Sequence, residues 1–309
     1  MLSQRHTRLL KSSFVILCGL TVIIGAALYL KNNSLRISQN GGFRFDLIDN
    51  VTGANTVIVP NFIHYIRWNI ATITFVDYVC IRSAYLNHRP DFIYMHTNLK
   101  NFSGDFWERL LEDPDFKKKV VIKYLEIPSE IYGQPLSKAW RLYHGSDIAR
   151  MEILKKYGGI YLDNDVYVVR PLRKYLKYEM TLGWDDEQFL GNQVLISHPN
   201  ARFIDAYLGT YKIYKSNLWY YNAGERPTVE VLYKNPELVH RVRLQFGVHN
   251  LAHHLYNIYW SEWRKQDCIH LLINHRSYLD KFYKDIPVFN EVNIYSYNKT
   301  FGEMARSVI

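Results

Sequence analysis

The order of apolar segments in this 309-residue sequence predicts an α/β fold with a largely parallel sheet. Two observations support this fold class, and a third concerns the N-terminal segment that precedes the domain. Short apolar runs alternate with longer segments of helical spacing, which is the pattern of strands connected by helices. An acidic cluster directly follows one of the short runs, and ligands of such sheets bind beyond the carboxyl ends of strands. A single apolar run of membrane-spanning length precedes this pattern at the N-terminus.

The predicted elements follow one another from residue 57 to residue 214. The predicted strands are residues 57–66, 91–96, 120–127, 160–162, 180–184 and 193–197, and the predicted helices are residues 72–86, 105–111, 137–157 and 201–214. Pro60 interrupts the first strand, and Gly145 is a candidate break in the long helix. The sequence contains no internal repeat and no low-complexity tract.

Composition narrows the class of protein. The hydrophobic fraction of 48% and the charged fraction of 22% are those of a globular chain with a sizeable core. The net charge is +9, but Lys and Arg are scattered, whereas a nucleic-acid-binding protein concentrates them in a stripe or tail. We therefore expect no nucleic-acid partner, and the charge suits a small anionic substrate. Aromatic residues make up 15% of the chain, and Tyr and Trp have flat apolar faces that suit sugar rings.

The apolar run at residues 12–30 predicts a transmembrane signal anchor. As a helix its 19 residues would extend about 28 Å, enough to cross a bilayer. Arg5, Arg8 and Lys11 precede it, so the positive-inside rule places the N-terminus in the cytoplasm. The alternative, a cleaved signal peptide, is less favoured because such apolar regions usually have about 7–15 residues. We therefore predict a cytoplasmic tail (1–11), an anchor (12–30), a luminal stem (31–56) and a catalytic domain (57–309).

A luminal domain has consequences for its Asn and Cys residues. Sequons for N-glycosylation occur at Asn32, Asn50, Asn101 and Asn298. Outside the apolar run the cysteines are Cys80 and Cys268, and the sequence leaves open whether they form one disulfide or two free core thiols.

The acidic cluster is Asp163-Asn164-Asp165, immediately after the apolar residues 160–162. Two carboxylates separated by one residue, where a strand opens into a loop, can both reach one hard divalent cation. Mn²⁺ or Mg²⁺ takes oxygen ligands, and diphosphate oxygens would fill its remaining positions. Such a metal neutralises the charge that builds on a leaving diphosphate. The alternative interpretation is a pair of solvated turn residues.

The segment before this cluster adds a second pair of charged residues. Asp147 and Arg150 are three positions apart in a predicted helix and therefore share one face. They are either a surface ion pair or a pair that hydrogen-bonds ligand hydroxyls. Gly158 and Gly159 then allow a tight turn and close packing before the strand, and Gly158 also suits a helix C-cap.

Residues 146–170, SDIARMEILKKYGGIYLDNDVYVVR, resemble the sugar-binding region with a DxD motif of the family 32 glycosyltransferases. That family includes yeast Golgi α-mannosyltransferases, and animal α-1,4-galactosyl- and α-1,4-N-acetylglucosaminyltransferases are similar. The resemblance implies a GT-A fold, a nucleotide-sugar donor (UDP-sugar favoured, GDP-sugar the alternative) and Mn²⁺ or Mg²⁺. It also implies retention of anomeric configuration and a glycan, glycolipid or glycoprotein acceptor. With the anchor, it implies a single-pass type II protein of the Golgi membrane.

The resemblance also assigns roles by position. Asp163 and Asp165 are implied as metal ligands, and the implied donor-binding residues are Asp147, Arg150, Tyr161, Asp163, Asn192 and Trp260. His253, His254 and Trp260 match a loop that closes over donor and metal in the family. Trp68 is one position later than the family's tryptophan near the base, where this chain has Arg67. No catalytic base or nucleophile is assigned.

Two other classes of protein stay open. A metal phosphatase of the haloacid dehalogenase type also uses a DxD motif, but it needs that motif after the first strand of the domain, whereas here about a hundred domain residues precede Asp163. A sugar-binding protein that has the fold without turnover is the second alternative. The intact pair of carboxylates favours the enzyme.

Overall fold

The computed structural model describes residues 45, 48–248, 250–273 and 286–309. The predicted tail, the predicted anchor and most of the predicted stem lie outside the described residues. Within the part of the chain that is described, no helix is both long enough and apolar enough to cross a membrane. The fold described below belongs to the compact unit Ile48–Ile309.

Short strands and helices alternate along this unit. The strands are β1 (Phe62–Ile66), β2 (Phe92–Thr97), β3 (Val120–Tyr124), β4 (Glu130–Ile131), β5 (Gln134–Pro135), β6 (Gly159–Leu162), β7 (Val166–Val168), β8 (Met180–Gly183), β9 (Gly191–Ser197), β10 (His240–Val242) and β11 (Cys268–His270). The α-helices are α1 (Phe75–Ser83), α2 (Asp105–Glu112), α3 (Pro114–Lys119), α4 (Arg141–Tyr157), α5 (Arg202–Thr210), α6 (Ala252–Tyr256), α7 (Asn293–Ser296) and α8 (Thr300–Arg306). A π-helical turn, Ala84–His88, continues α1.

The central sheet has seven strands in the order β10-β8-β9-β6-β1-β2-β3. The pairs β3–β2, β2–β1, β1–β6 and β8–β10 are parallel, whereas β9 runs antiparallel to both β6 and β8. The start of β9 therefore lies beside the end of β6, at the same edge of the sheet. A separate two-stranded pair, β7 with β11, follows the end of β6.

The core lies on both faces of this sheet. Alternate residues of β1 and β6, such as Ile63 and Leu162, pack with α1 in one hydrophobic cluster, whereas Tyr161 points to the other face and packs in a second cluster with α4 and α5. This alternation follows from the period of two along a strand. The chain is thus an α/β domain with a largely parallel sheet, as the sequence predicts.

The long helix α4 begins at Arg141, later than predicted, and continues through Gly145 without a break. A Cβ at Gly145 would stand 3.4 Å from both the Trp68 ring and Pro128. Gly145 therefore serves close packing of α4 against Trp68. Trp68 itself is buried, and its indole Nε1 donates to the Leu125 carbonyl at 2.9 Å.

The domain begins earlier than the sequence indicates. Residues 48–56 belong to the compact unit, although the sequence assigns them to the stem. Asn50 is buried; its Nδ2 donates to the Glu237 carbonyl at 2.9 Å, and its Oδ1 accepts from the Glu179 amide at 3.0 Å. These two hydrogen bonds attach the segment to the compact unit, and the stem itself stays a prediction.

The two described cysteines, Cys80 and Cys268, are both buried and both free. Of the two alternatives left open by the sequence, the structure therefore has two core thiols.

Candidate functional site

Two glycines set the position of the acidic cluster. Gly158 ends α4, and its amide donates to the Leu154 carbonyl at 2.8 Å. Its φ is +63°, and a Cβ there would stand 2.7 Å from Pro199 and 2.9 Å from Pro60. Gly159, with φ of +106°, has the Phe62 carbonyl oxygen 2.8 Å from where its Cβ would be. The chain can therefore turn from α4 into β6 only without side chains here.

The acidic cluster follows β6 as a tight turn. The Val166 amide donates to the Asp163 carbonyl at 3.0 Å, and the Asp163 amide donates to the Gln193 carbonyl at 2.9 Å. Asn164 Nδ2 donates to the carbonyl of Ile66, the last residue of β1, at 2.7 Å. The cluster is thus anchored to both neighbours of β6, at the carboxyl ends of parallel strands where the sequence predicts a ligand site.

Arg150 of α4 lies between two of the predicted carboxylates. Its guanidinium nitrogens stand 3.2 Å from Asp147 Oδ1 and 3.2 Å from Asp163 Oδ1, and its Cζ lies 4.6 Å from the centre of the Tyr161 ring. Tyr161 in turn donates its hydroxyl to Asp163 Oδ1 at 2.7 Å. The guanidinium of Arg150 therefore contacts Asp147 of α4, Tyr161 of β6 and Asp163, the first residue of the DxD motif.

Asn192, at the start of β9, completes this group. Its Nδ2 donates to Asp147 Oδ1 at 2.9 Å, and its carbonyl accepts from Arg150 at 2.7 Å. The antiparallel direction of β9 makes this contact, because it brings the start of β9 beside the end of β6. Five of the predicted site residues thus form one hydrogen-bonded cluster, which we call the Arg150 cluster: Asp147, Arg150, Tyr161, Asp163 and Asn192.

The donors of Arg150 are all directed at protein groups. Besides the contacts to Asp147, Asp163 and Asn192, Nε donates to the Ser146 carbonyl at 3.1 Å and one terminal nitrogen donates to the Ser146 hydroxyl at 3.0 Å. The Arg150 side chain is only 5% exposed, whereas that of Asp163 is 25% exposed. Asp163 is therefore better placed to reach a ligand, and the geometry favours Arg150 as the group that orients the carboxylates.

Burial and charge oppose each other in this cluster. Burial raises the pKa of Asp147 to about 6, although the charge of Arg150 acts in the opposite direction. For Arg150, burial lowers the pKa, but the neighbouring carboxylates outweigh burial and the net direction is upward. Arg150 thus stays charged, and its charge opposes the effect of burial on the Asp147 carboxyl.

The second carboxylate of the motif, Asp165, contacts residues outside the Arg150 cluster. Its Oδ1 stands 3.2 Å from His270 Nε2, and its Oδ2 accepts from the Ile273 amide at 3.2 Å. The pairing of β7 with β11 sets His270 opposite Val166, next to Asp165. Burial lowers the pKa of His270, but the charge of Asp165 and the hydrogen bond to it outweigh burial and raise the pKa overall.

The donor set of Asp165 and His270 suits a divalent metal. In an octahedral site with bonds of about 2.1 Å, two adjacent ligand atoms lie about 3.0 Å apart, close to the 3.2 Å found here. Among the described residues, however, no group of three or more His, Cys, Asp or Glu side chains is arranged to hold a metal ion. The Asp163 oxygen that would join the pair is directed at Arg150 and Tyr161. The chemistry of the residues fits a metal, and two of them already have a fitting separation.

Trp260 and the neighbouring histidines have contacts of their own. Trp260 is half-buried against the main core; its ring contacts His254, and its amide donates to the Thr300 hydroxyl at 2.8 Å. His253 is exposed. These contacts do not connect the three residues with the Arg150 cluster. The predicted donor contact of Trp260 stays a prediction.

Sequence reasoning missed His270. It is one of twelve histidines, and it stands in a three-residue strand that no periodicity marks. The pairing of β11 with β7, more than a hundred residues away, brings it to Asp165.

The comparison with known proteins defines the class of this site. Residues 77–187 match the family described as the glycosyltransferase sugar-binding region containing a DXD motif. This stretch includes α4, β6 and the acidic turn with Asp163 and Asp165. This part of the chain is therefore similar to a glycosyltransferase sugar-binding region with a DXD motif, and the resemblance inferred from the sequence is confirmed.

A curated relative and two solved structures are similar over larger parts of the chain. Glucan organizing enzyme 1 of Cryptococcus neoformans var. grubii is 29% identical over 189 residues, which are 55% of this chain and 49% of that protein. The chain thus spans about half the length of this relative. Galactosyltransferase LgtC, solved with donor and acceptor sugar analogs, is 14% identical with a TM-score of 0.43, covering 80% of this chain and 96% of its own. Mouse xyloside xylosyltransferase 1 is 11% identical with a TM-score of 0.45, covering 70% of this chain and 99% of its own.

Proposed function

We propose that this protein is a metal-dependent, retaining glycosyltransferase of GT-A fold that transfers a hexose or N-acetylhexosamine from a nucleotide-sugar donor. The donor class we favour is a UDP-sugar, with a GDP-sugar as the alternative. The acceptor is a glycan, glycolipid or glycoprotein. The word glucan in the name of the fungal relative is compatible with a glycan acceptor.

The observation that supports this proposal most directly is the Arg150 cluster. A buried arginine holds the carboxylates of Asp147 and Asp163 at the carboxyl end of β6. In our proposal Asp147 and Asp163 accept hydrogen bonds from hydroxyls of the donor sugar, and the carboxamide of Asn192 adds a group that both donates and accepts. Arg150 pairs with both carboxylates and fixes their orientation, so the site is organised before the donor arrives.

The proposed metal ligands are Asp165 and Asp163, and His270 is added to them from the structure. When bound, Mn²⁺ or Mg²⁺ would neutralise the negative charge of the diphosphate leaving group. Asp163 and Asp165 would supply carboxylate oxygens to the metal, and His270 would supply the nitrogen of a neutral imidazole. We assign no nucleophile.

The cellular placement is also part of the proposal. A luminal domain behind a type II signal anchor of the Golgi membrane suits the sequons and the basic residues before residue 12. Asn101 and Asn298 are exposed in the described domain, as glycan attachment requires.

The test is donor hydrolysis by the full-length protein in detergent, with a panel of UDP- and GDP-sugars, with and without Mn²⁺. We expect Mn²⁺-stimulated release of sugar from one donor, with retained anomeric configuration by NMR when an acceptor is present. Asp163→Asn should reduce the rate by a factor of about 10² or more, as loss of one electrostatic contact in a site commonly does. Asp205→Asn is the matched control, because this carboxylate is 70% exposed on α5.

The outcomes separate the alternatives. Donor binding without turnover would support the sugar-binding protein. Metal-dependent hydrolysis of a simple phosphate monoester, without sugar release from any donor, would support the phosphatase. Equal rates for wild type and Asp163→Asn would exclude the site proposed here.

A further inference from the structure

Three aromatic side chains form an exposed group at the N-terminal end of α4. Tyr143 and Trp219 are 44% and 41% exposed, and Trp140 is half-buried. The ring centres of Tyr143 and Trp219 are 4.5 Å apart in an edge-to-face arrangement, and those of Trp140 and Trp219 are 5.0 Å apart. We call this group the aromatic platform. Large aromatic rings held together at a surface indicate a binding function more than a solvated one.

The aromatic platform continues the helix face that bears the Arg150 cluster. Trp140, Tyr143, Asp147 and Arg150 follow one another at spacings of three, four and three residues. Such spacing places side chains on one face of a helix. Tyr143 precedes Asp147 by one turn, about 6 Å along the axis. One face of α4 thus leads from buried Arg150, through Asp147, to exposed aromatic rings.

The third ring is fixed to this face by the segment that carries it. His144 Nε2 donates to the Trp219 carbonyl at 3.2 Å, and its Nδ1 accepts from the Tyr214 hydroxyl. The next residue, Tyr220, donates its hydroxyl to the Leu190 carbonyl, two residues before Asn192. The tyrosine ring occupies the space that a side chain at Gly224 would need. Trp219 is therefore held between α4 and the start of β9, the two elements that form the donor side of the cluster.

Asp147 also interacts electrostatically with Tyr220 of this segment. Burial and, after it, the charge of Asp147 raise the pKa of Tyr220. The Tyr220 hydroxyl is hydrogen-bonded to Leu190, two residues before Asn192, whose Nδ2 donates to Asp147 at 2.9 Å, and 38% of Tyr220 remains exposed. The aromatic platform and the Arg150 cluster therefore adjoin each other.

We propose that the aromatic platform binds the acceptor, and that this acceptor is a neutral oligosaccharide of β-linked hexopyranoses. A β-linked glucose unit carries its substituents equatorially, so both ring faces present C–H groups that pack on Trp and Tyr. The three rings carry no charge, which suits a neutral chain. The inference rests on the proposed function in naming this ligand the acceptor, but the binding itself requires no donor.

The test measures binding of a linear β-linked glucose tetramer to the full-length protein without donor, by tryptophan fluorescence and saturation-transfer NMR. Trp219→Ala and Tyr143→Ala should each weaken binding about tenfold or more, because truncation of aromatic anchors commonly costs that much. Tyr124→Ala is the matched control, since Tyr124 is 74% exposed at the end of the edge strand β3. Trp219→Phe keeps a ring and should bind nearly as wild type. Thermal melting checks that each variant is folded.

Three results would overturn the inference: no binding by the wild type, equal binding by wild type and both alanine variants, or quenching of Trp219 by lipid vesicles but not by the oligosaccharide. Donor binding by the wild type, measured separately with UDP- and GDP-sugars, tests the proposed function. A protein that binds donor but not the tetramer refutes only the aromatic platform. One that binds the tetramer but no donor refutes the glycosyltransferase and leaves the platform as a glycan site.

Discussion

His270 Nε2 lies 3.2 Å from Asp165 Oδ1, although the two residues are 105 positions apart in the chain. Their contact depends on the antiparallel pair β7–β11, which places His270 beside the acidic turn. The motif therefore divides its two carboxylates between two partners: Asp163 faces a permanent cation, and Asp165 faces an imidazole, which can bind a metal only in its neutral form.

This division predicts the metal dependence of two variants. Asp165→Asn and His270→Ala should each reduce Mn²⁺-stimulated donor hydrolysis, by a factor of about 10² to 10³ for Asp165→Asn. Both should raise the Mn²⁺ concentration needed for half-maximal rate and should stay folded in a thermal melt. His253→Ala provides the comparison, since this exposed histidine comes from the loop favoured by the resemblance. A larger loss of Mn²⁺ dependence in His253→Ala than in His270→Ala would contradict the assignment of His270.

Arg150 should be required for stability as well as for donor binding. Arg150→Ala leaves Asp147 and Asp163 without their cation, and breaking a buried ion pair in this way commonly costs about 3–5 kcal/mol. Arg150→Lys keeps the charge but loses the forked guanidinium that reaches both carboxylates. Its free energy of unfolding should therefore lie between those of wild type and Arg150→Ala. The measurement is urea unfolding together with donor titration. Lys155→Ala breaks an exposed ion pair on the same helix and should cost about 1 kcal/mol or less. Equal losses of unfolding free energy in Arg150→Ala and Lys155→Ala would show that the ion pairs of the Arg150 cluster do not stabilise the domain.

A buried pair of histidines predicts how stability depends on pH. His64 Nε2 donates to the Gly158 carbonyl at 2.9 Å, so its Nδ1 accepts from His96 Nε2 at 3.0 Å and both rings are neutral. Burial lowers the pKa of His64 to about 3 and that of His96 to about 4. Repulsion from a protonated His96 also lowers the pKa of His64, while its hydrogen bond to Gly158 raises it. The charges of Lys123 and Lys156 also lower the pKa of His96. The other groups that face this pair are Tyr94, Tyr157, Lys123 and Lys156.

Because the folded pKa values lie below the unfolded value of 6.5, the unfolded chain binds more protons below that pH. The contribution of this pair to stability should therefore be constant above about pH 6.5 and fall as the pH decreases further, by about 1.4 kcal/mol per pH unit for each proton. Gln in the His96→Gln variant can still donate a hydrogen bond to His64, but it does not titrate. The free energy of unfolding of this variant should therefore depend less steeply on pH than that of wild type. Urea unfolding from pH 8 to pH 4 measures this. An unchanged slope in His96→Gln would remove the pair as the cause.

The buried position of Asn50 predicts which sequons can carry glycans. Both ends of its side-chain amide are hydrogen-bonded inside the domain, so a glycan there is incompatible with the fold. In a secretory expression host, Asn101→Gln and Asn298→Gln should each remove a glycosidase-sensitive mobility shift. Asn50→Gln should remove none, and it should lower the melting temperature because two hydrogen bonds are lost. A shift lost in Asn50→Gln would contradict the structure of this segment.

Much of the fold was predictable because its signals are local. The strand before Asp163 and the helix that bears Asp147 and Arg150 follow from short runs and helical spacing within one continuous segment. Asp163 and Arg150 were assigned to one site through the resemblance, and the Gly158–Gly159 turn connects the helix and the strand that carry them.

The unpredicted part depends on pairings between distant segments. The antiparallel direction of β9, which brings Asn192 to Asp147, has no signature in its own residues. His270 reaches Asp165 only through β11. The role of Arg150 was also open, because the sequence shows a charged pair but not that all its donors point at protein groups. Burial decides that role, and burial is a property of the assembled domain.

The absence of space at Gly158 and Gly159 has a consequence for recognising other sequences as active or inactive. A motif of two aspartates separated by one residue arises often by chance and survives in a chain whose turn has changed. A side chain at either glycine would collide with Pro60, Pro199 or the Phe62 carbonyl and would displace the strand that delivers Asp163. A change at either glycine should therefore disable the site of this chain even when both aspartates are retained.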